Sequence, residues 1–463
     1  MVFGISQFRS AYCKGELTPA QAIATQLEYA RSVAASVNAI SVFSDSAVQE
    51  AEMSTRRYMS HNPIGPLDGV PVVVKDSYCV EGMPRWHGSA IHDGDPVSAS
   101  SSEPVMRLRQ AGAIIIAKTT MPDMGMLGSG ISSQFGIVRN PWDTSKSPGG
   151  SSAGTGAALA AGLAAFGLGT DIAGSVRLPA GHCGLAAIKP TQGRIAYSPA
   201  STMRSAGVMG RSVSDVIEGL SVIGREASTD PMCLPGAFSP TSIESVFQRM
   251  PTVGLLLDMG YGLQVQSSVR QAVEDAARRL TDAGFIVEPM SLGLTDADFA
   301  DADRVFKAHA ASEVRASRHP DRVVEHVKTW LQDAQKISMM DYDDALAGLL
   351  NTVRRIEHAT RQCDFLISPV IPVPGFSADS PGPGDEQRLL RHTQFTAWFN
   401  QTGQPAAVYR ECHDETSGLP IGVQIIGRRF DDAGVLAVTQ YLEQTRSKVP
   451  EYPVLQGGPQ YAN

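Results

Sequence analysis

Residues Ser147–Thr191 read SPGGSSAGTGAALAAGLAAFGLGTDIAGSVRLPAGHCGLAAIKPT. Glycine, serine, alanine and threonine fill this stretch at positions where an ordinary core uses larger side chains. The alanine-rich part predicts a helix over Thr155–Ala165, and GTDIAGSVR (Gly169–Arg177) places Ser175 after a tight turn. Because glycines let backbone N–H groups converge and other groups approach closely, the stretch predicts a pocket for an anion or an oxyanion.

The length and composition of the chain restrict the class of protein. Its 463 residues are enough for one large α/β domain or for two domains. A formal net charge of −8 argues against nucleic acid or an anionic membrane as the main partner. The six cysteines form no C-x-x-C pair, so we expect reduced thiols. The first residues lack a signal-peptide pattern and no apolar run reaches about 18 residues, so we expect a soluble, cytoplasmic protein.

Short apolar segments alternate with helical patterns along the chain. Leu67–Asp76, Ala113–Lys118, Cys363–Val370 and Ile421–Gly427 are predicted to be buried strands, and the amphipathic pattern of Ser267–Gly284 predicts a helix. Such an alternation predicts a mixed or parallel sheet with helices on both faces.

The strands before and after a charged helical region are predicted to belong to one sheet, so we expect a single domain over residues 1–463. Between Ala200 and Pro251 the patterns are too weak to assign elements. In chain order, the expected parts are an N-terminal helical segment, a catalytic core, a helical insertion that covers the pocket and a C-terminal completion of the sheet: residues 1–60, 61–200, 300–361 and 395–463.

Three polar residues lie in apolar or glycine-rich surroundings, namely Lys75, Ser151 and Ser175. Lys75 follows three valines, so its amine is expected at the edge of the core, where burial lowers a lysine pKa from about 10.4 and favours the neutral amine. Because a serine becomes a nucleophile when a base takes its proton, the lysine and two serines could form a proton relay without histidine. The alternative is that Lys75 ends its strand in an ion pair and that both serines only satisfy turns.

A set of long motifs runs through most of the chain, except for about residues 200–361. The motifs are Gly69–Asp76, AGAIIIAKTTMPDM (Ala111–Met124), RNPWD, GGSSAG, GTDIAGSVRLPAG, GLAAIKPTQGR (Gly184–Arg194), TGQPA (Thr402–Ala406) and GLPIGVQIIG (Gly418–Gly427). In this order they resemble the motifs of the amidase signature enzymes. The resemblance implies an α/β fold around a central mixed β-sheet of about ten strands, with helices on both faces. It also implies an enzyme that hydrolyses amides without a cofactor.

The same resemblance implies a catalytic triad of Lys75, Ser151 and Ser175. Ser175 would attack the amide carbonyl and form an acyl-enzyme, while Ser151, held by a cis peptide bond, would pass the proton between Ser175 and neutral Lys75. Many members of the family have a glycine where this chain has Ala173, which we interpret as substrate tuning. Backbone N–H groups would form the oxyanion hole, those of Ile172, Ala173, Gly174 and Ser175.

Two charged residues, Asp171 and Arg177, flank the proposed nucleophile. We expect them to orient the turn as an internal ion pair, and we consider the binding of a substrate carboxylate by Arg177 less favoured. The acyl pocket of the family falls on Met126, Leu127 and Gly128, and the two apolar side chains favour an aliphatic or aryl carboxamide. Packing in the core is an equally supported interpretation of these positions.

The segment that follows TGQPA reads AVYRECHDETSG and departs from the family pattern. If Arg410 faced the pocket, it could bind an anionic group. A solvated loop that carries Arg410, Glu411 and His413 is the favoured interpretation.

Other motifs in the chain do not support a second kind of site. GSSAG (Gly150–Gly154) fits a G-x-S-x-G nucleophile elbow centred on Ser152, but the TSKSPG before it is not a strand. No G-K-[ST] follows the glycines, as a phosphate loop needs, and the ten histidines form no metal-binding pattern. We therefore expect neither a cofactor nor a metal.

The sequence thus predicts an amidase that converts a small carboxamide to a carboxylate and ammonia or an amine. Its expected partner is the small-molecule amide, with no nucleic acid and no membrane, and a homodimer is the assembly that we consider. One alternative is the glutaminase component of a tRNA-dependent amidotransferase, but FTAWFNQTGQPA (Phe395–Ala406) lacks the Tyr/Asp-rich stretch of that component. A catalytically silent binding protein on the same scaffold is the other alternative.

Overall fold

The computed structural model describes residues 2–248, 250–384, 388–453, 455–459 and 461. The predicted segments 1–60 and 395–463 therefore both include end positions that lie outside the described residues. Within the described ranges, no helix is long and apolar enough to cross a membrane.

The α-helices of the described chain are spread along its whole length. In order they are α1 (Ile5–Lys14), α2 (Pro19–Val37), α3 (Ala47–Met59), α4 (Glu103–Gln110), α5 (Ala153–Ala160), α6 (Arg177–Cys183), α7 (Val213–Ile223), α8 (Ile243–Phe247), α9 (Ser267–Asp282), α10 (Asp296–Ala316), α11 (Glu325–Trp330), α12 (Met339–Thr360), α13 (Ala397–Gln401) and α14 (Asp432–Thr445). The charged region predicted to be helical, 300–361, thus lies within α10, α11, α12 and their connections.

The strands are short and alternate with these helices. They are β1 (Ile40–Phe43), β2 (Pro71–Lys75), β3 (Ile114–Thr119), β4 (Ile131–Ser132), β5 (Gly136–Ile137), β6 (Phe166–Asp171), β7 (Ala186–Lys189), β8 (Ser205–Gly210), β9 (Thr252–Leu256), β10 (Ile286–Met290), β11 (Phe365–Pro369), β12 (Ala406–His413) and β13 (Pro420–Gly427). All except the β4–β5 hairpin belong to one sheet of eleven strands.

The central sheet is mixed. Its strand order is β1-β3-β2-β6-β8-β7-β12-β13-β11-β9-β10. The neighbours β2, β3 and β6 run parallel, as do β9, β10 and β11, whereas β6, β8, β7, β12 and β13 pair antiparallel. The predicted α/β fold around a mixed sheet of about ten strands is therefore confirmed.

Helices cover both faces of the sheet because its central strands are largely apolar. On β2, Val72 and Val74 pack in a cluster that includes side chains of α1, α4, α7, α9 and α14. Val73 points to the opposite face and packs with side chains of α2, α5 and α6. Polar and apolar residues do not alternate along this strand, because a strand that is covered on both faces buries all its side chains. Each buried valine contributes roughly 1.5–3 kcal/mol.

The sequence patterns missed β6, which carries Thr170 and leads into the turn of Ser175, and its neighbour β8. The helix predicted over Thr155–Ala165 is wrong at its end, because α5 stops at Ala160 and the chain turns into β6. Gly167 and Gly169 make β6 hard to recognise in the sequence, because glycine is not a typical strand residue. Close packing requires a glycine at both positions. A Cβ at Gly167 would lie 2.6 Å from Thr155 Cγ2, and one at Gly169 would lie 2.7 Å from Ser152 Oγ. Close packing against the Ser152–Thr155 segment explains a strand without the usual β-forming residues.

Candidate active site

Lys75 is the last residue of β2, and its side chain is fully buried. Its Nζ lies 2.8 Å from Ser151 Oγ, 2.9 Å from Thr170 Oγ1 and 3.3 Å from the Thr170 carbonyl oxygen. Burial lowers the pKa of this amine well below its ordinary value; the charge of Asp171 opposes that shift and the charge of Arg204 adds to it. The site therefore favours a neutral amine surrounded by hydroxyl and carbonyl oxygens.

Ser151 connects Lys75 to the rest of the site. The peptide bond between Gly150 and Ser151 is cis, and the Ser151 side chain is buried. Gly150 leaves no room for a side chain, because a Cβ there would collide with the carbonyl oxygens of Leu127 and Ser129. The backbone of residues 127–129 therefore packs directly against the peptide that positions Ser151.

Ser152 does not occupy the position of a nucleophile. Its side chain is fully buried, and Ser152 Oγ donates to the Thr170 carbonyl oxygen at 3.3 Å. The described segment 144–150 before it contains no strand, which agrees with the rejection of a nucleophile elbow.

Ser175 lies in the turn between β6 and α6, next to Ser151. The two serines line one small cavity of about 20 Å³, together with Thr170 and Arg204. Among the described residues, no hydrogen bond joins Ser175 Oγ to Ser151 Oγ. Contacts of this kind often tighten only when a substrate is bound. The structure therefore brings the three predicted triad residues to one site, with the Lys75–Ser151 contact already formed.

Backbone N–H groups are available in the turn that carries Ser175. In the described part of the chain, the N–H groups of Ile172, Ala173 and Ser175 donate to no protein acceptor. The N–H of Gly174 is different, because it donates to Asp171 Oδ1 at 2.7 Å. The expected oxyanion hole stays a prediction, and only the other three N–H groups are without an acceptor in the described chain.

Gly174 is nevertheless required by the geometry of the turn. It has a φ of +121°, and a Cβ there would collide with Thr396 Oγ1. Ala173 has no positive φ, so the alanine that replaces a family glycine is accommodated without backbone strain.

Asp171 and Arg177 form the predicted ion pair, and both side chains are fully buried. Arg177 Nε and Nη2 donate to the two carboxylate oxygens at 3.0 and 2.9 Å. Arg177 also donates to Gln424 Oε1 at 2.8 Å and to Asn400 Oδ1 at 2.6 Å. Burial alone would raise the pKa of Asp171, but Arg177 and the surrounding hydrogen bonds hold it well below its usual range. The pair braces the nucleophile turn against α13 and β13, so Arg177 is committed to protein contacts rather than to a substrate.

Met126, Leu127 and Gly128 line a second small cavity on another side of Ser175. This cavity, about 10 Å³, is also lined by Phe306 of α10 and by His392. Met126 and Leu127 at the same time pack in a hydrophobic cluster with α10 and α12. Core packing of Met126 and Leu127 is thus observed, whereas their role in an acyl pocket stays a prediction.

The structure corrects the interpretation of AVYRECHDETSG. Its first part is the strand β12, not a solvated loop, because the chain pairs with β7 and β13 on both sides. Arg410 is buried between the rings of Tyr452 and Trp142, 4.4 and 5.5 Å from their centroids. Glu411 pairs with Arg279 at 2.6 Å. Neither Arg410 nor Glu411 lines the cavities beside Ser175.

His413 likewise has a structural contact. Its ring lies 4.7 Å from that of Trp142, and its Nδ1 lies 2.8 Å from the Gly418 carbonyl oxygen. The sequence could not reveal this role, because Trp142 is distant along the chain and Gly418 lies across a turn.

Three potential metal ligands converge at the edge of the site, which no local sequence pattern indicated. Ligand atoms of His87, His92 and Glu313 lie within 4.8 Å of one another. Glu313 Oε1 lies 2.5 Å from His87 Nδ1, and His92 Nδ1 lies 2.9 Å from Asp95 Oδ2. The His87–Glu313 contact connects α10 to the segment after β2, and the His92–Asp95 contact lies within that segment, so both have a structural role. The expectation of no metal stays a prediction.

Comparisons with known proteins assign the chain to a family. The fold and the site define an α/β protein with a buried lysine–serine centre, and the chain belongs to the amidase family, whose model matches residues 21–436. The chain is 32% identical to the A subunit of the Glutamyl-tRNA(Gln) amidotransferase of Symbiobacterium thermophilum, over 92% of this chain and 93% of that protein.

Two further relatives extend the comparison. The chloroplastic/mitochondrial A subunit of the Glutamyl-tRNA(Gln) amidotransferase of Oryza sativa subsp. indica is 30% identical, over 97% of this chain and 90% of that protein. The crystal structure of a bacterial aryl acylamidase of the amidase signature family superposes with a TM-score of 0.84 and 21% identity, over 96% of both chains. At that identity the structural likeness supports the fold alone.

Proposed function

We propose that this protein is an amidase that hydrolyses a small carboxamide through an acyl-enzyme on Ser175. The observation that carries the proposal is the 2.8 Å contact of the fully buried Lys75 Nζ with Ser151 Oγ, beside Ser175. A serine needs a base to become nucleophilic, and a desolvated amine with a lowered pKa is such a base.

The neutral form of Lys75 fits its surroundings atom by atom. Its two N–H groups can donate to Thr170 Oγ1 and to the Thr170 carbonyl oxygen. Its lone pair then faces Ser151 Oγ and can accept the hydroxyl proton of that serine. Ser151 in turn takes the proton of Ser175 as Ser175 Oγ attacks the amide carbon.

The remaining steps of the proposed reaction are stabilisation of the oxyanion and protonation of the leaving group. The N–H groups of Ile172, Ala173 and Ser175 are proposed to stabilise the negative charge of the tetrahedral intermediate, and losing one such donor typically costs about 2.7–4 kcal/mol. The proton on Lys75 returns through Ser151 to the leaving nitrogen, which departs as ammonia or an amine. Water then attacks the acyl-enzyme by the same route and releases the carboxylate.

Ammonia release from a panel of aliphatic, aryl and dicarboxylic monoamides tests this proposal, with Ser175→Ala as the matched control. Turnover that depends on Ser175 supports an amidase and identifies its substrate class. The apolar side chains of Met126 and Leu127 lead us to expect aliphatic or aryl amides to react fastest. If wild type and Ser175→Ala are equally inactive on every amide and on an activated ester, the protein is a silent binding protein.

A second candidate is a glutaminase component of an amidotransferase, like the two relatives that carry that name. It is supported by 30–32% identity over 92–97% of this chain. The glutaminase candidate is disfavoured because the segment Phe395–Ala406 lacks a Tyr/Asp-rich stretch. Glutamine hydrolysis that appears only when partner proteins are added would favour this candidate over a free-standing amidase, whereas activity of the isolated chain, as a monomer or homodimer, would favour the amidase. A cytoplasmic location stays part of the proposal.

A further inference from the structure

The cavity on the Met126 side of Ser175 is lined mainly by apolar side chains. Its side chains come from the segment before β4, from α6, from α10 and from the segment after residue 388: Met126, Leu127, Leu178, Phe306 and Leu390. Such a wall favours a hydrocarbon chain but gives it no preferred orientation.

Besides Ser175, two polar side chains line this cavity, those of His392 and Thr393, and the Thr393 hydroxyl already donates to the Leu390 carbonyl oxygen at 2.7 Å. His392 lies in a short 3₁₀ helix, Arg391–Thr393, and only 1% of the residue is exposed. A Cβ at Gly128 would collide with His392 Nε2, so the ring edge lies directly against the glycine that lines the same cavity. A side chain at position 128 would therefore displace the imidazole of His392.

The Nε2 atom has no hydrogen-bond partner in the described chain, although it is buried. The ring is neutral, because burial and the nearby His182 lower the pKa of His392 to about 4 against the opposing effect of the Leu389 carbonyl. A neutral imidazole carries one N–H and one lone pair. We assign the N–H to Nδ1, because the Leu389 carbonyl can accept only an N–H and Nε2 has no partner in the described chain, so that Nε2 carries the lone pair.

We propose that His392 Nε2 accepts a hydrogen bond from a hydroxyl or N–H group on the acyl chain of the substrate. The preferred amide is therefore apolar near its carbonyl and carries one donor farther along the chain. This inference rests on the proposed function, since it assigns the acyl side of the same site. A site with an unpaired buried acceptor rejects an analogue that lacks the donor, because the acceptor then stays unsatisfied.

A series of substrate pairs of increasing chain length tests the proposal. Each pair consists of an ω-hydroxyalkanamide and the alkanamide in which a methyl group replaces the hydroxyl, and the pairs differ in chain length. We expect the kcat/KM of wild type for ammonia release to favour the hydroxyl member by roughly tenfold or more at one chain length. The same preference is expected in the affinity of Ser175→Ala for the amides, measured by calorimetry.

The preference must depend on His392. His392→Leu should lose it while still hydrolysing the methyl member, and His392→Gln should keep part of it, because the glutamine side chain offers a carbonyl acceptor. His182→Leu is the matched control. His182 is also buried, with a pKa lowered to about 4 and an unpartnered Nε2 in the described chain, but it does not line this cavity. It should keep the hydroxyl preference of wild type even if it is less stable.

The outcomes separate this proposal from the proposed function. Turnover of both members with no preference at any length, or a preference unchanged in His392→Leu, overturns the role of His392 and leaves the amidase intact. A His392-dependent binding preference without any turnover supports the subsite and counts against the amidase. Absence of a His392-dependent preference in both kinetics and binding overturns the inference.

Discussion

Lys75 and Lys118 are two buried lysines on adjacent parallel strands, and their partners differ. Strands β2 and β3 pair in a register that places Val74 beside Lys118, and both lysine side chains are fully buried. Lys118 Nζ lies 2.8 Å from the carboxylate of Asp76, whereas Lys75 Nζ contacts the hydroxyls of Ser151 and Thr170.

The difference in partners decides what each amine can do. Burial lowers the pKa of both lysines, but the charge and hydrogen bond of Asp76 oppose the shift at Lys118. A charged ammonium paired with a carboxylate has no free lone pair, and removing it leaves the carboxylate buried without a partner. A neutral amine among hydroxyls can take a proton from one of them. Two equally buried lysines therefore differ in role: Lys118 on β3 forms a structural ion pair, and Lys75 on β2 is a candidate base.

Replacing Lys75 is the change with the largest expected effect on activity. Lys75→Met should lower kcat/KM for ammonia release by roughly 10²–10⁴ or more, because general-base assistance to Ser175 is lost. Its urea midpoint should stay close to that of wild type, since methionine fills the volume of a neutral side chain. Lys118→Met is the matched control and should lose far less activity. Equal losses in the two variants would remove the functional distinction between the lysines.

Ser151 should carry the next largest effect. Ser151→Ala interrupts the path between Ser175 and Lys75, so we expect kcat to fall by roughly 10²–10⁴. Circular dichroism should show an unchanged fold. Ser152→Ala, one residue away and equally buried, should retain most of the activity because Ser152 lies outside the relay. If Ser152→Ala lost more activity than Ser151→Ala, Ser151 would not be the relay serine.

Lys118 should matter for stability instead. Lys118→Met leaves the Asp76 carboxylate buried without its cation, which typically costs about 3–5 kcal/mol. Urea denaturation followed by tryptophan fluorescence measures this free energy of unfolding. A variant as stable as wild type would show that the Lys118–Asp76 pair contributes little.

The pH dependence of kcat/KM sharpens the comparison. The rate should rise with pH through the pKa of Lys75, which lies well below its ordinary value, because only the neutral amine accepts a proton. In the interval between this pKa and that of the unfolded lysine, the unfolded chain binds more protons, so stability also rises with pH. Lys189 is a necessary control, since burial lowers its pKa to about 7. The rising limb should persist in Lys189→Met and vanish in Lys75→Met.

The sequence predicted the parts of the site that lie within continuous motifs. Lys75 ends an apolar strand, and Ser151 and Ser175 lie in glycine-rich turns, so local pattern made them candidates, and the resemblance to the amidase signature enzymes gave them their expected roles. The sheet type was predictable for a similar reason, because strands buried on both faces are continuous apolar runs.

Residues that depend on strand order were not predictable. Thr170, Asn400 and His392 reach the site because β6 lies beside β2 and because the segment before β12 folds over the nucleophile turn. Arg410 was misinterpreted because its partners, the rings of Trp142 and Tyr452, come from distant parts of the chain. Gln424 carried a usable signal, since a polar residue within the apolar run PIGVQIIG indicates a buried partner.

Intact-protein and peptide mass spectrometry after brief exposure to an activated ester tests the central claim most directly. The account predicts one acyl group per chain, located on Ser175 itself by fragmentation of its peptide, and formed quickly in wild type and far more slowly in Lys75→Met. An acyl group on Ser152 or another residue would contradict it, and so would equal rates of Ser175 acylation in the two proteins.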